Sequence, residues 1–290
     1  MQNHVIADRL REAAELLEQQ GANPFRVSAY RRGADTLASL AEDASTLLEC
    51  QGRAGLEALP AIGRSLASAI AEMATTGRWA QLERLRGAAA PETLFQSIPG
   101  IGPELARRLH DELQVDTLEA LELAAHDGRL ERVKGIGSRR AAALRATLAA
   151  MLARTRRTPH VPASEPGVDL LLDVDADYRS RAAAGDLPRI APRRFNPAGE
   201  AWLPILHTDR GPWHLTALFS NTARAHELGR TDDWVVVYFH GDDHEEGQRT
   251  IVTETRGRLT GQRVVRGREA ECLRRSDQES PAATPGATGP

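Results

Sequence analysis

Three short stretches of the chain share one chemical capability. They are Leu59-Pro60-Ala61-Ile62-Gly63-Arg64-Ser65-Leu66-Ala67, Ile98-Pro99-Gly100-Ile101-Gly102-Pro103-Glu104-Leu105-Ala106 and Val133-Lys134-Gly135-Ile136-Gly137-Ser138-Arg139-Arg140-Ala141. Each puts a glycine directly after an isoleucine and directly before an apolar helical pattern. Glycine admits positive φ and lets another backbone or a ligand come close. A tight turn entering a helix aims several backbone N–H groups one way, with the positive end of the helix dipole behind them. Phosphate oxygens suit such a turn. The isoleucine fills the gap between the flanking helices. Gly63, Gly102 and Gly137 are 39 and 35 residues apart, so the turn is an internal repeat. The candidate phosphate-binding residues are Gly63, Arg64, Gly100, Gly102, Lys134, Gly135, Gly137, Arg139 and Arg140.

Charge is distributed to match. Over 290 residues the net charge is −3, which excludes a general basic field. The bases are segregated instead: residues 129–157 carry Arg129, Arg132, Lys134, Arg139, Arg140, Arg145, Arg154, Arg156 and Arg157 against one acid, Glu131. Lys134 is the sole lysine, so amine chemistry has a single side chain available. The two cysteines, Cys50 and Cys272, are too few for a disulfide scaffold and lack metal-ligand spacing. No signal peptide or membrane span is evident, and a cytoplasmic location without a membrane partner is the expectation.

The elements around the turns read as helices. Asn3 is placed to cap a first helix with Ile6, Leu10, Ala13, Ala14 and Leu17 on one face, and Gly21 to end it. Asn23-Pro24 is a helix-start signal. The helix after it carries Phe25 and Tyr30 as core candidates and Arg26, Arg31 and Arg32 as a solvated face.

Asn23 to Arg32, Leu59 to Ala67 and Thr76-Gly77-Arg78 together resemble the amino-terminal domain of family X DNA polymerases. Ile98 to Leu109 with Val115-Asp116-Thr117-Leu118-Glu119-Ala120-Leu121 resembles their fingers subdomain, especially in bacterial members. The resemblance covers about residues 4–153. It implies an all-helical module that grips DNA phosphates, often at a gap or nick, with a monovalent cation on hairpin carbonyls. In eukaryotic repair members a lysine of the first domain removes a 5′-deoxyribose phosphate through a Schiff base, which requires an amine. Aligning the first hairpin puts Ala69 at that lysine and Ser65 at a neighbouring phosphate-binding lysine. Arg26 and Tyr30 match two further members of the 5′-phosphate pocket. The resemblance thus implies surviving phosphate binding without lyase chemistry.

A catalytic palm would follow in the polymerases. Asp173-Val174-Asp175 superficially fits two of its carboxylates, but no Gly-Ser turn precedes it. The plainer expectation is a strand from Val168 to Val174 and then a short acidic helix start from Asp175 to Arg181. Beyond it, Ala201–Leu206, Trp213–Phe219, Trp234–Phe239 and Thr250–Thr255 read as strands, with turns at Asp209–Pro212 and Gly241–His244. Ser220-Asn221 is placed to cap a short helix, Thr222–Leu228. His207, His214, His226, His240 and His244 lack the helical spacing of a metal site, and none is expected. Asp233 and Glu254 flank strands in a way that suggests a metal-dependent nuclease, with Arg256 where such sites use lysine. Arg256, Arg258, Arg263, Arg266 and Arg268 form a second basic stretch, read equally as a solvated face or a further DNA contact.

The expected architecture is an all-α helix-hairpin-helix module followed by a small α+β domain around a mostly antiparallel sheet. Its divisions are residues 1–88, a tandem at 89–154, a linker at 155–167, the α+β domain at 168–275 and a disordered tail at 276–290. The expected function is sequence-independent binding of gapped or nicked DNA in repair or processing, without polymerase or lyase activity and with no catalytic or metal residues assigned. A protein partner on the carboxy-terminal domain fits the same reading. A structure-specific nuclease is the competing expectation.

Overall fold

The computed structural model describes residues 2–88, 91–153, 165–241 and 246–279. The first helical unit opens with α1 (Asn3–Gln19) and α2 (Pro24–Ser39), which pack along their lengths. The apolar stripe of α1 is buried as its spacing requires, and Gly21 follows the helix end at φ 71°. Asn3 does not cap α1. Gln2 takes that place, and the Asn3 side chain donates to the Leu40 and Glu42 carbonyls while accepting the Ala44 N–H. It therefore fastens the loop before α3 (Ala44–Gln51). Asn23 does cap α2, accepting the Phe25 N–H. Phe25, expected in the core, is 86% exposed, whereas Arg26, expected in solvent, is buried. The unit closes with α4 (Arg53–Glu57), α5 (Arg64–Thr76) and α6 (Ala80–Leu85), α5 stopping at Gly77 in the left-handed region.

The second unit comprises α7 (Pro91–Phe95), α8 (Pro103–Leu113), α9 (Leu118–His126) and α10 (Ser138–Ala153) around its own core of Phe95, Leu109, Leu121 and Leu148. The third starts with α11 (Val168–Ala184). Here the sequence expectation of a strand fails. Val168, Leu171, Val174, Asp175 and Tyr178 are buried at helical spacing, so the stretch is one helix. Asp173 is exposed and Asp175 buried, so the two carboxylates of the polymerase-like reading point to different faces of that helix.

The sheet contains β1 (Arg189–Ile190), β2 (Leu203–Arg210), β3 (Trp213–Phe219), β4 (Val235–Gly241), β5 (Gly247–Thr253) and β6 (Arg263–Val265). All pairings are antiparallel and the strands lie in chain order. Between β3 and β4 lies α12 (Ala223–Glu227), and α13 (Glu269–Glu279) follows β6. The cap of α12 is Thr222, not Ser220 or Asn221. The short strands β1 and β6, of two and three residues, are too brief for an alternating pattern to mark them in the sequence. The expected tail at 276–290 begins inside α13; its remainder, most of the expected linker, and His244 with the turn before it lie outside the described residues.

Every residue of β4 is buried, because both sheet faces are covered. Val235, Val237 and Phe239 join Leu215, Ile251 and the apolar face of α11 on one side. Val236 and Tyr238, with Ile205 and Leu218, join Leu10, Leu17 and Leu82 of the first helical unit on the other. The sheet and the first unit thus share one core. Polar groups line its edge: Asn23 donates to Asp209, and Gln20 bridges the Leu85 carbonyl and His207.

His207 and His240 sit in that junction as neutral rings. His207 Nε2–H donates to Gln20 Oε1 and Nδ1 accepts from Thr216, each at 2.9 Å. Burial, with the positive charges of Arg26 and Arg84 nearby, pushes the His207 pKa down to about 3, and the same causes with His214 push that of His240 well below its usual value. An unfolded histidine titrates near pH ~6.5, so between that pH and about 3 the unfolded chain takes up a proton that buried His207 refuses. Stability is therefore full above about pH 6.5 and falls toward acid, by at most ~1.4 kcal/mol per pH unit for one ring. Denaturant midpoints from pH 7.5 to 5 should drop, and His207→Gln, which keeps both hydrogen-bond types, should drop less steeply.

Candidate nucleic-acid interface

The three glycine turns adopt one structure. Ile62 N–H donates to Leu59, Ile101 to Ile98 and Ile136 to Val133, at 3.2, 3.0 and 3.0 Å. The helix after each turn starts with the same bond: Ala67 to Gly63, Ala106 to Gly102 and Ala141 to Gly137, all at 2.9 Å. Ile62, Ile101 and Ile136 are buried as plugs between the helices. The first residue of each turn is left-handed, with φ 58° at Ala61, 85° at Gly100 and 90° at Gly135. The first turn is the departure, since it holds a non-glycine in that conformation.

Gly63 and Gly102 are the N-caps of α5 and α8, with ordinary φ of −82° and −86°, and neither has a side chain accepting the orphan N–H groups. Gly137 occupies the corresponding place before α10. A Cβ built on any of the three meets nothing within 4 Å. The conformation does not demand glycine at these positions. Glycine instead leaves the helix start bare, with N–H donors and the positive dipole end facing solvent.

The charges differ from turn to turn. Lys134, Arg139 and Arg140 are exposed around the third. Arg64 is exposed at the first and lies 3.8 Å from Glu57. The second carries Glu104, paired with Arg107 at 3.0 Å and Arg108 at 3.4 Å. The Arg107 hydrogen bond and charge hold the Glu104 carboxyl below its usual pKa, so it stays anionic. Two arginines join the second and third turns. Arg108 donates to the Lys134 carbonyl at 2.5 Å, and Arg140 spans the Gly100 carbonyl at 3.0 Å and that of Gly135 at 3.4 Å. Arg140, expected only as a phosphate contact, is thus also the clasp between hairpins. The role of Arg108 had no sequence signal, because carbonyl geometry is invisible in a residue string.

Elsewhere the placements change the chemistry. Arg129 is spent on Asp127 and Arg145 on the Ala125 carbonyl. Arg154, Arg156 and Arg157 lie outside the described residues. The 5′-phosphate pocket expected at Arg26 and Tyr30 is not open: both are buried, and the Tyr30 hydroxyl donates to Gln81 at 3.0 Å with its ring stacked on Trp79. Ala69 is likewise buried in the core. Asp233 accepts from Arg263, whose fork also grips Asp175, and Glu254 accepts from Arg266 at 2.6 Å, so each candidate nuclease carboxylate is engaged by an arginine. The second basic stretch is thereby partly internal. His214 pairs with Asp209 at 2.7 Å and His226 with Asn221 at 2.6 Å.

Comparison with known proteins matches these turns. Residues 1–79 match a helix-hairpin-helix domain, and residues 92–150 match a SAM-like helix-hairpin-helix tandem. DNA polymerase/3′-5′ exonuclease PolX of Bacillus subtilis (strain 168) is 32% identical over 132 residues, which cover 45% of this chain and 22% of that protein. The amino-terminal half is a PolX-like helix-hairpin-helix region. No described helix is long and apolar enough to cross a membrane.

The left-handed positions of this PolX-like region make a stability test. An L-residue there costs about 1 kcal/mol or more. Gly100→Ala should lower stability by about 1 kcal/mol, whereas Ala61→Gly should be neutral or stabilise by up to ~1 kcal/mol, since relieved strain opposes the added unfolded-state entropy. Urea denaturation midpoints of the two variants decide it.

Proposed function

We propose that this protein binds duplex DNA through backbone phosphates, without regard to sequence, and acts in repair or processing of gapped or nicked DNA. The observation that carries the reading is the set of three solvent-facing helix starts capped by glycine, with nothing within 4 Å of a Cβ at Gly63, Gly102 or Gly137. Phosphate oxygens would complete the hydrogen bonding there. Contacts of that kind position a duplex without reading bases. The PolX relative acts on DNA by its name, and its similarity to this chain falls on the hairpin region. Hairpins two and three, clasped by Arg108 and Arg140, act as one grip, and hairpin one as a second.

The role is proposed to be non-catalytic. Support comes from the buried Ala69 at the position of the family's lysine and from Lys134 as the only side-chain amine. Selectivity for a 5′-phosphate through Arg26 is not part of this reading, because that side chain is buried, near enough to His207, Asp209 and His240 of the sheet to shift their pKa values. Among the described residues the carboxy-terminal unit braces the helical ones, and any protein partner would meet its outer surface.

Glycine→serine substitution tests the hairpins cleanly. Serine is a better N-cap than glycine, and its hydroxyl would take the N–H groups that phosphate needs. Gly102→Ser and Gly137→Ser should keep or raise the melting temperature yet weaken DNA binding several-fold, about 1 kcal/mol for each lost grip. Affinity for gapped, nicked and intact duplex should fall steeply with salt, and the two glycine variants should leave the slope of log K against log salt nearly unchanged, because neither removes a cation. Undiminished affinity in both folded variants would remove the hairpins from the interface.

Borohydride provides a second test. On an incised abasic site the protein should form no trapped adduct. An adduct that persists in Lys134→Ala would implicate the α-amino group and refute the non-catalytic role.

A further inference from the structure

Beside the second hairpin, three side chains converge that the DNA-binding reading does not use. Glu92 lies in the first turn of α7, and His110 and Asp111 in the last turn of α8. One donor atom from each lies within 4.8 Å of the other two. His110 and Asp111 are 5% and 8% exposed.

Two features mark this as more than an acidic cluster. Asp111 Oδ2 accepts from Arg107, but Oδ1 is buried with no hydrogen-bond partner. A buried carboxylate oxygen left unpaired is costly, and a cation would relieve it. The orientation of His110 is fixed from behind. Its Nδ1 faces two acceptors, the Val115 carbonyl at 3.2 Å and Asp116 Oδ1 at 2.9 Å, so that nitrogen carries the proton. Nε2 is the ring nitrogen left for a metal, which would displace any proton held there, and the carboxylate behind Nδ1 is the arrangement that raises ligand basicity. Asp116 is held in turn by the Tyr238 hydroxyl and by Gln248, which accepts its N–H at 3.0 Å. A cavity of about 70 Å³ borders His110 and Pro91, and Arg194 on its wall pairs with Glu92, a pair that a bound cation would have to replace.

We propose that Glu92, His110 and Asp111 bind a divalent transition-metal ion, Zn²⁺ foremost. A buried imidazole with two carboxylates selects such an ion over Mg²⁺ or Ca²⁺, which prefer all-oxygen shells. The ion would pin α7 to α8, the two helices that flank the second hairpin. Sequence spacing concealed the site, because Glu92 is 18 residues from His110 and the ligands include adjacent positions of one helix.

Untagged full-length protein, stripped with chelator, should take up one Zn²⁺ per chain in titration calorimetry and melt at higher temperature with the metal. Glu92→Gln and Asp111→Asn preserve shape and should each weaken uptake by tenfold or more. Tyr238→Phe, acting only through Asp116, should weaken it less. Co²⁺ substitution should give visible bands that Asp111→Asn abolishes. Should wild type take up no Zn²⁺, or should uptake survive the Glu92→Gln/Asp111→Asn double variant and instead require His214, the assignment is overturned.

Discussion

The guanidinium of Arg84 is the fixed point on which the three parts of the molecule depend. It projects from α6, is 4% exposed, and lies 3.5 Å from the centre of the Tyr238 ring on β4. Glu246 pairs with it, and Tyr238 passes the connection to Asp116 in the loop between α8 and α9. Burial alone would lower the Arg84 pKa, but Glu246, Tyr238 and Asp116 together raise it, so the charge stays. A buried charge of this sort survives only with partners, and removing one strands the other. Gln248 and Gln114 extend the joint with hydrogen bonds among side chains and backbone. The first helical unit, the second and the sheet meet there.

The fold was legible where periodicity was strong. The stripe of α1, the Asn23-Pro24 start and the three glycine turns are readable because each obeys a local rule. The apolar runs of β3 and β4 announced buried strands. The failure at α11 has a physical cause: Val168 to Val174 is apolar enough for either structure, and Asp175, polar in sequence, is buried because Arg263 from β6 grips it bidentately. No local pattern contains that partner. Asn3 failed as a cap for the same reason, since its side chain serves a loop some 40 residues away.

The candidate site was legible in outline and not in detail. Glycine spacing located the turns and the isoleucine plugs. It did not reveal that Arg140 divides its donors between two carbonyls, or that Arg26 is buried close to the charged and polar groups of the sheet. Both depend on contacts between segments far apart in the chain. A resemblance confined to the helical half could not anticipate the packing of the sheet against it, since the sheet lies outside the matched region.

The shared core has a further consequence. Were the two halves parted, the sheet would present Ile190, Leu203, Ile205, Leu218 and Val236 to water, and the first helical unit would lose the cover over its own apolar residues. A contiguous apolar surface of that kind drives aggregation. The edges of the sheet are already blunted, with two residues in β1 and three in β6. Its broad face has no such protection other than the helices themselves. The carboxy-terminal unit is therefore no detachable appendage: each half is the other's solubility partner, inherited, lost or transplanted only together.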